Sequence, residues 1–271
     1  MKKLTSLESA FKQTFFLALF AILMANLAWA SPEDDARAAS LRGDYAEVLK
    51  IVKPAATRGE AWAQTWLAGA YTYGQGVVQS YAEAAKWYRL LAQQGDASAQ
   101  VSLGRMYRLG NGVVQDFAES VKWYRLAADQ GNVWAQTGLA YAYMDGRGVV
   151  KDYAKAIKWF RLAARQGHEG AQINLGVMYS NGSGVVQDYA EAVKWYQLAA
   201  QQGNTLAQFN LGVMHHYGRG VVQDYVKAHS WYNLAAVESR GSDAGQAANA
   251  ANSRDTMAKL MTPQQIGDAQ K

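Results

Sequence analysis

The sequence predicts an all-α protein, an α-solenoid of stacked helix-turn-helix repeats with a period of 36 residues. A Gly-Val-Val segment recurs at that period, beginning at Gly76, Gly112, Gly148, Gly184 and Gly220. A tryptophan recurs with the same spacing, at Trp87, Trp123, Trp159, Trp195 and Trp231. Helix-start and helix-stop residues divide each repeat into two segments of helical length. Since one hairpin cannot bury both of its apolar faces, we expect the repeats to stack.

The first helix of each repeat, named helix A, is predicted from the residues at its ends. An N-cap residue follows a glycine and precedes the motif AQxxLGxxYxxG at Asp96, Asn132 and Asn204. A glycine is expected to end the helix at Gly110, Gly146 and Gly218. Between these limits Ala99, Leu103 and Tyr107 recur at the spacing of one helical face, which predicts the face that stacks.

The second helix, named helix B, is predicted to start at an aspartate after each Gly-Val-Val loop. These N-caps are Asp116, Asp152, Asp188 and Asp224. In helix B, Trp123 and Tyr124 share one face with Ala127 and Ala128. Helix A contains Gly104, Gly176 and Gly212, each costing about 1 kcal/mol relative to alanine. This cost predicts that the Trp-Tyr pair approaches the helix A backbone closely.

The N-terminal residues 1–30 have the features of a secretory signal peptide. Lysines precede an apolar run from Phe15 to Leu27, and Ala28-Trp29-Ala30 supplies small residues for cleavage after Ala30. The alternative is an uncleaved membrane anchor, but the run is shorter than the roughly 20 residues that a spanning helix needs. We therefore expect a periplasmic or secreted protein with no integral membrane span after cleavage.

Composition narrows the function further. Residues 1–30 carry three lysines and one glutamate, so the remainder has 24 basic and 21 acidic residues and a net charge of +3. This small, interspersed excess does not indicate a nucleic-acid partner. The chain has no cysteine, so neither disulfide nor thiol chemistry is available to it.

We predict four segments along the chain. They are a signal peptide at 1–30, N-terminal capping helices with a degenerate repeat half at 31–59, five repeats at 60–237 and C-terminal capping helices at 238–271. In the last segment Thr262 is the predicted N-cap of a short helix, with Pro263 at its first position and Gln265 completing a capping box. Such helices would cover the apolar ends of the array.

The motif AQxxLGxxYxxGxGVxxDxxKAxxWYxxAA resembles the Sel-1-like repeat, a relative of the tetratricopeptide repeat. The resemblance implies a right-handed superhelix with helix A on its concave surface. It also implies an adaptor that binds other proteins, which is typical of this family. Many of its members are located in bacterial envelopes or are secreted. Some secreted members have a disulfide in each repeat and are associated with penicillin binding. Because this chain lacks cysteine, we do not carry that activity over.

No catalytic residue, metal site or cofactor is predicted. The Gly-x-Gly loops follow a helix and lack the third glycine of a dinucleotide fingerprint. His215 and His216 lack the four-residue spacing of helical metal ligands, and His215 occupies a row of tyrosines, so we expect it to be a buried aromatic substitute. Acidic residues form i,i+3 pairs with lysine on the solvated side of helix B: Glu83 with Lys86, Glu119 with Lys122 and Glu191 with Lys194.

A site specific to this protein is expected where the repeats differ and the side chains point outward, because residues identical in every repeat are expected to do the stacking. The helix A face opposite Leu103 is varied and apolar. Its candidate protein-binding residues are Trp62, Arg105, Arg108, Trp134, Tyr141, Met144, Ile173, Leu206, Phe209, Val213 and His216. For Val101, Ile173 and Val177, packing against the next repeat is an equal alternative.

The leading hypothesis is an exported, non-catalytic scaffold that binds an envelope, regulatory or host protein through helix A. The alternative is a cell-wall-associated enzyme or carbohydrate-binding protein that acts on peptidoglycan, with tryptophans stacking on sugars. A third hypothesis is that the repeat array serves chiefly as a spacer in the assembly of a protein complex. The sequence identifies neither the partner nor the oligomeric state.

Overall fold

A computed structural model describes residues 31–238 and 244–269, and every regular element in these ranges is an α-helix. The all-α prediction is therefore confirmed. Within these ranges no helix combines the length and apolar character required to span a membrane. The predicted signal peptide, residues 1–30, lies outside the described residues.

Fourteen helices follow one another in the described ranges. They are α1 Pro32–Leu41, α2 Tyr45–Thr57, α3 Ala61–Tyr73, α4 Tyr81–Gln93, α5 Ala97–Leu109, α6 Phe117–Asp129, α7 Val133–Asp145, α8 Tyr153–Arg165, α9 Glu169–Asn181, α10 Tyr189–Ala200, α11 Thr205–Tyr217, α12 Tyr225–Glu238, α13 Ala244–Ala258 and α14 Pro263–Ala269. From α3 to α12, odd numbers are helix A and even numbers are helix B.

The predicted helix ends are confirmed. The side chains of Asp116, Asp152 and Asp188 each accept a hydrogen bond of 2.9 Å from the backbone N–H three residues later. Asn132 caps α7 and Asn204 caps α11 in the same way. The glycines that end helix A have positive φ angles, at Gly110, Gly146 and Gly218. The capping box of Thr262 and Gln265 is also present.

The chain divides into two compact units. The first contains the described residues 31–99 and 110–114. Its helices pack in chain order, α1 on α2, α2 on α3 and α3 on α4. Val48, Val52 and Leu67 are buried between them.

The second compact unit contains residues 100–109 and the described residues from 115 onward. Each helix from α6 to α12 packs on the next, and α14 returns onto α12. Phe160, Leu175 and Tyr196 lie in its main core. Near the C-terminus, Met257 of α13 packs on Tyr232 of α12. The expected stacking of consecutive helical hairpins is therefore present within this unit.

The close approach predicted at the helix A glycines is confirmed, and tyrosine is the neighbour. A Cβ added to Gly176 would lie 2.4 Å from a ring carbon of Tyr196, and one added to Gly212 would lie 2.6 Å from Tyr232. The atoms nearest to both glycines belong to the tyrosine of the Trp-Tyr pair and not to the tryptophan. Glycine is therefore required here by the ring that packs on the backbone.

Paired glutamines also connect the two helices within a hairpin. A glutamine at the end of helix B donates its side-chain amide to the buried glutamine of the preceding helix A, 30 residues earlier. The pairs are Gln94 with Gln64 at 3.0 Å, Gln130 with Gln100 at 2.9 Å, Gln166 with Gln136 at 2.9 Å, and Gln202 with Gln172 at 2.8 Å. These bonds satisfy polar groups that the packing of helix A on helix B would otherwise leave buried without a partner.

One sequence expectation is wrong. Residues identical in every repeat were expected to do the stacking, yet the second valine of the Gly-Val-Val loop is 87–90% exposed in all five repeats. These residues are Val78, Val114, Val150, Val186 and Val222. The loop places this side chain outside both helices, so its repetition does not reflect burial.

Candidate functional site

A groove of about 750 Å³ lies within the second compact unit, between the helix A residues of α5 and α7. We name it the α5–α7 groove. Four candidate residues line it, Arg105 and Arg108 of α5 together with Trp134 and Tyr141 of α7. Its volume lies in the range of protein ligand pockets, roughly 300–1,000 Å³. The structure thus brings together four residues that the sequence analysis assigned to the binding face.

One wall of the groove is cationic. Arg105 and Arg108 lie three residues apart on α5, so both face the same side of the helix. Both are exposed, and neither guanidinium group has an ion pair or hydrogen bond with another described residue. Arg147 lies on the far side, with its guanidinium carbon 5.9 Å from the centre of the Phe117 ring. It also lies 3.6 Å from a carboxylate oxygen of Asp145.

The opposite wall is aromatic. Trp134 is 65% exposed, although it belongs to a helix that is packed between neighbouring helices. Its ring meets that of His168 edge to face, with centroids 4.9 Å apart and planes at 87°. Tyr141 is 39% exposed, and its hydroxyl accepts a 2.9 Å hydrogen bond from the side-chain amide of Asn174. These contacts hold both rings in position without covering them.

His168 is a groove residue that the sequence analysis missed. Its Nδ1 accepts a 3.1 Å hydrogen bond from the backbone N–H of Ala171, so the imidazole caps α9. Burial lowers the pKa of His168 below its usual value, and the neighbouring Glu169 opposes this effect. The signal was available, because His168 stands in the same repeat position as the caps Asn132 and Asn204.

A second, shallower hollow of about 470 Å³ adjoins this groove. Met144 and Val177 line it, and Asp145 and Arg147 belong to both hollows. Ile173 is half-buried and packs against the main core of the second unit.

The remaining candidates lie elsewhere. On α11, Phe209 and Val213 pack against the C-terminal cluster of Tyr232 and Met257. Leu206 is 42% exposed, and His216 stacks on Tyr217 with ring centroids 4.1 Å apart. None of these four α11 residues lines the α5–α7 groove.

Trp62 belongs to the first compact unit and is half-buried. Its indole N–H donates a 2.8 Å hydrogen bond to Glu60, which also pairs with Arg58 at 2.7 Å. Its ring is therefore held by local contacts.

Several titratable groups of the described ranges lie outside the groove. His215 is 8% exposed, which confirms that it is a buried substitute in the tyrosine row. Among described residues, no three His, Asp or Glu side chains form a group that could hold a metal ion. The predicted Glu-Lys pairs are present on exposed helix B surfaces at 2.6–3.0 Å. These contacts stabilise the helices.

The Sel1 repeat family model matches five consecutive segments of the chain. They are residues 63–96, 97–132, 135–168, 170–204 and 205–236. The matched residues make up more than half of the sequence.

The solved structures that are similar to the chain include two Sel1-repeat proteins. One is a protective antigen present in uropathogenic Escherichia coli strains and displaying an SLR fold, with 32% identity and a TM-score of 0.74 over 89% of this chain and 56% of that one. The other is a Sel1 repeat protein from Oxalobacter formigenes, with 31% identity and a TM-score of 0.70 over 75% and 84% of the two chains. The chain thus spans little more than half the length of the E. coli protein. No curated protein matches it.

Proposed function

The chain belongs to the Sel1-repeat family, whose members are generally non-catalytic protein-interaction scaffolds, and we propose that it is an exported scaffold that binds another protein through its helix A face. The α5–α7 groove carries the proposal. It combines an exposed tryptophan with arginines, and these are the residue types that contribute most to protein interfaces.

Two observations support an exported location. The N-terminal residues 1–30 have the pattern of a signal peptide. The similar E. coli protein is described as a protective antigen. We therefore propose a periplasmic or secreted protein whose partner is an envelope, regulatory or host protein.

A capture experiment from envelope extract tests the proposal. The purified chain and the double variant Trp134→Ala/Arg108→Ala are used side by side as baits, with Tyr73→Ala as a control because Tyr73 is 74% exposed outside the groove. We expect a protein captured by the native chain and the control, and at least about tenfold less of it with the double variant. No specific protein, or equal capture by all three baits, would contradict the proposal.

Carbohydrate binding is the second candidate, and the exposed Trp134 ring is the observation in its favour. The other seven tryptophans in the described ranges are only partly exposed, which leaves no row of aromatic platforms for a sugar chain. Titration with purified peptidoglycan separates the two candidates. Saturable quenching of tryptophan fluorescence that disappears in Trp134→Ala would favour carbohydrate binding, and unchanged fluorescence would exclude it.

A further inference from the structure

We propose that the α5–α7 groove binds an acidic segment of a partner protein, with carboxylates against Arg105 and Arg108 and an apolar side chain against Trp134. This inference rests on the proposed function and specifies the chemistry of its partner. It follows from the charge, the exposure and the position of the groove residues.

The charge of the lining is the first argument. Three arginines and one aspartate line the groove, and the aspartate lies beside Arg147. Two positive charges, on Arg105 and Arg108, therefore remain without an acidic partner among the described residues. A guanidinium group presents paired N–H donors that match a carboxylate. The carboxylates of an acidic segment would thus pair with the two unpaired arginine charges on this wall.

The second argument is that the cationic pair belongs to one helix only. The positions of Arg105 and Arg108 are occupied in the other helices A by Gly69 and Thr72, Tyr141 and Met144, Val177 and Ser180, and Val213 and His216. None of these eight residues is an arginine or a lysine. The pair is therefore not a stacking feature of the repeat, and stability of the array does not explain it.

The third argument is the exposed aromatic wall. Trp134 and Tyr141 are held by His168 and Asn174, so little ordering is required when an apolar side chain packs on them. A segment that is only acidic would leave this wall unused. The occupant is therefore expected to alternate carboxylates with aliphatic or aromatic side chains.

A nucleic acid is the competing occupant, because bases also stack on aromatic rings. A phosphate backbone requires a continuous track of cations, whereas the groove has two unpaired arginines and places Asp145 at its far side. These observations favour the peptide.

The test is selection from a random peptide library displayed on phage, with the purified full chain as the target. Enriched sequences are synthesised with a fluorescent label, and their affinities are measured by anisotropy. The Arg105→Gln/Arg108→Gln variant removes the two charges. A matched control, Lys158→Gln/Arg165→Gln, removes two exposed cations from helix B of the same unit.

We expect enriched peptides to contain an excess of Asp and Glu together with apolar residues. Their affinity should fall at least about tenfold in the Arg105/Arg108 variant and less than about twofold in the control. Binding should also weaken as the salt concentration rises from about 0.05 to 0.5 M, because the charges on the groove are exposed. Thermal unfolding of both variants should match that of the native chain.

Several results would overturn the inference: enrichment of peptides without acidic residues, equal loss in the two variants, no enrichment, or tighter binding of a labelled oligothymidylate than of any peptide. The capture experiment keeps the two proposals separate. If an envelope protein is still lost on Trp134→Ala/Arg108→Ala while acidic peptides do not bind, the inference fails and the proposed function stands. If no protein is captured either, both fail.

Discussion

The rings of Trp134 and His168 meet edge to face, with their centroids 4.9 Å apart, although one belongs to α7 and the other caps α9. The contact joins two successive helices A across the helix B that separates them in the chain. It also fixes one end of the α5–α7 groove. The histidine therefore has two roles, since it caps the N-terminus of α9 and packs against the exposed indole of α7.

The cap predicts a pH dependence centred on His168. Its folded pKa lies below the ordinary value of about 6.5, because burial favours the neutral ring. The neutral imidazole therefore contributes its full share to the free energy of unfolding above about pH 6.5. This contribution is lost as the pH falls below that value and the ring becomes protonated. Protonation also removes the lone pair that accepts from the N–H of Ala171.

The substitution His168→Asn separates this effect from the other histidines, because asparagine already caps α7 and α11 at the same repeat position. At pH 7.5 we expect the variant to lie within about 0.5 kcal/mol of the native chain. Between pH 7.5 and 5.5 its urea midpoint should fall less than that of the native chain. An unchanged pH dependence would show that His168 does not contribute to it.

Trp134 is expected to be dispensable for folding. Its side chain is 65% exposed, so Trp134→Ala should cost about 1 kcal/mol or less, mainly through the lost contact with His168. Phe160→Ala is the comparison, because that ring is fully buried and should cost roughly 3–5 kcal/mol. Urea unfolding followed by circular dichroism measures both. A large loss for Trp134→Ala would mean that this ring serves mainly for packing.

The repeat period, both sets of helix caps and the close approach at Gly176 could be predicted from the sequence, because each depends on local spacing. Which variable positions meet in one groove could not. Trp134 and Phe209 both belong to the predicted binding face, yet one is exposed in the groove and the other packs on Tyr232. Phe209 also packs in a cluster with Met257 of α13, a helix that lies outside the repeat pattern.

The glutamine pairs were missed for a related reason. Gln172 belongs to the repeated motif and reads as one more helical residue, while its partner Gln202 follows at the end of helix B. A separation of 30 residues corresponds to no period of a helix, so only the angle between the two helices brings the amides together. Val150 shows the converse, because its repetition suggested burial and the loop leaves it exposed.

Alanine substitutions at Gly176 and Gly69 test why glycine is present in helix A, and we expect them to change stability in opposite directions. In Gly176→Ala the new Cβ would lie 2.4 Å from the buried ring of Tyr196, so we expect a loss of about 1–3 kcal/mol. Gly69 is also helical, but a Cβ there meets no atom within 4 Å, and Gly69→Ala should raise stability by up to about 1 kcal/mol. Thermal unfolding should therefore shift in opposite directions, and a shared direction would refute the account.

Gln172→Ala tests the glutamine pairs. Gln172 is 4% exposed, accepts a 2.8 Å hydrogen bond from Gln202 and donates one of 3.2 Å to the carbonyl of Ala164. Its removal leaves that buried carbonyl without this donor, so a loss of roughly 1–3 kcal/mol is expected. Gln201, which directly precedes Gln202, is exposed and provides the control. Gln201→Ala should change the free energy of unfolding by less than about 0.5 kcal/mol. Equal urea midpoints for the two variants would mean that the paired amides add nothing to the packing of helix A on helix B within a hairpin.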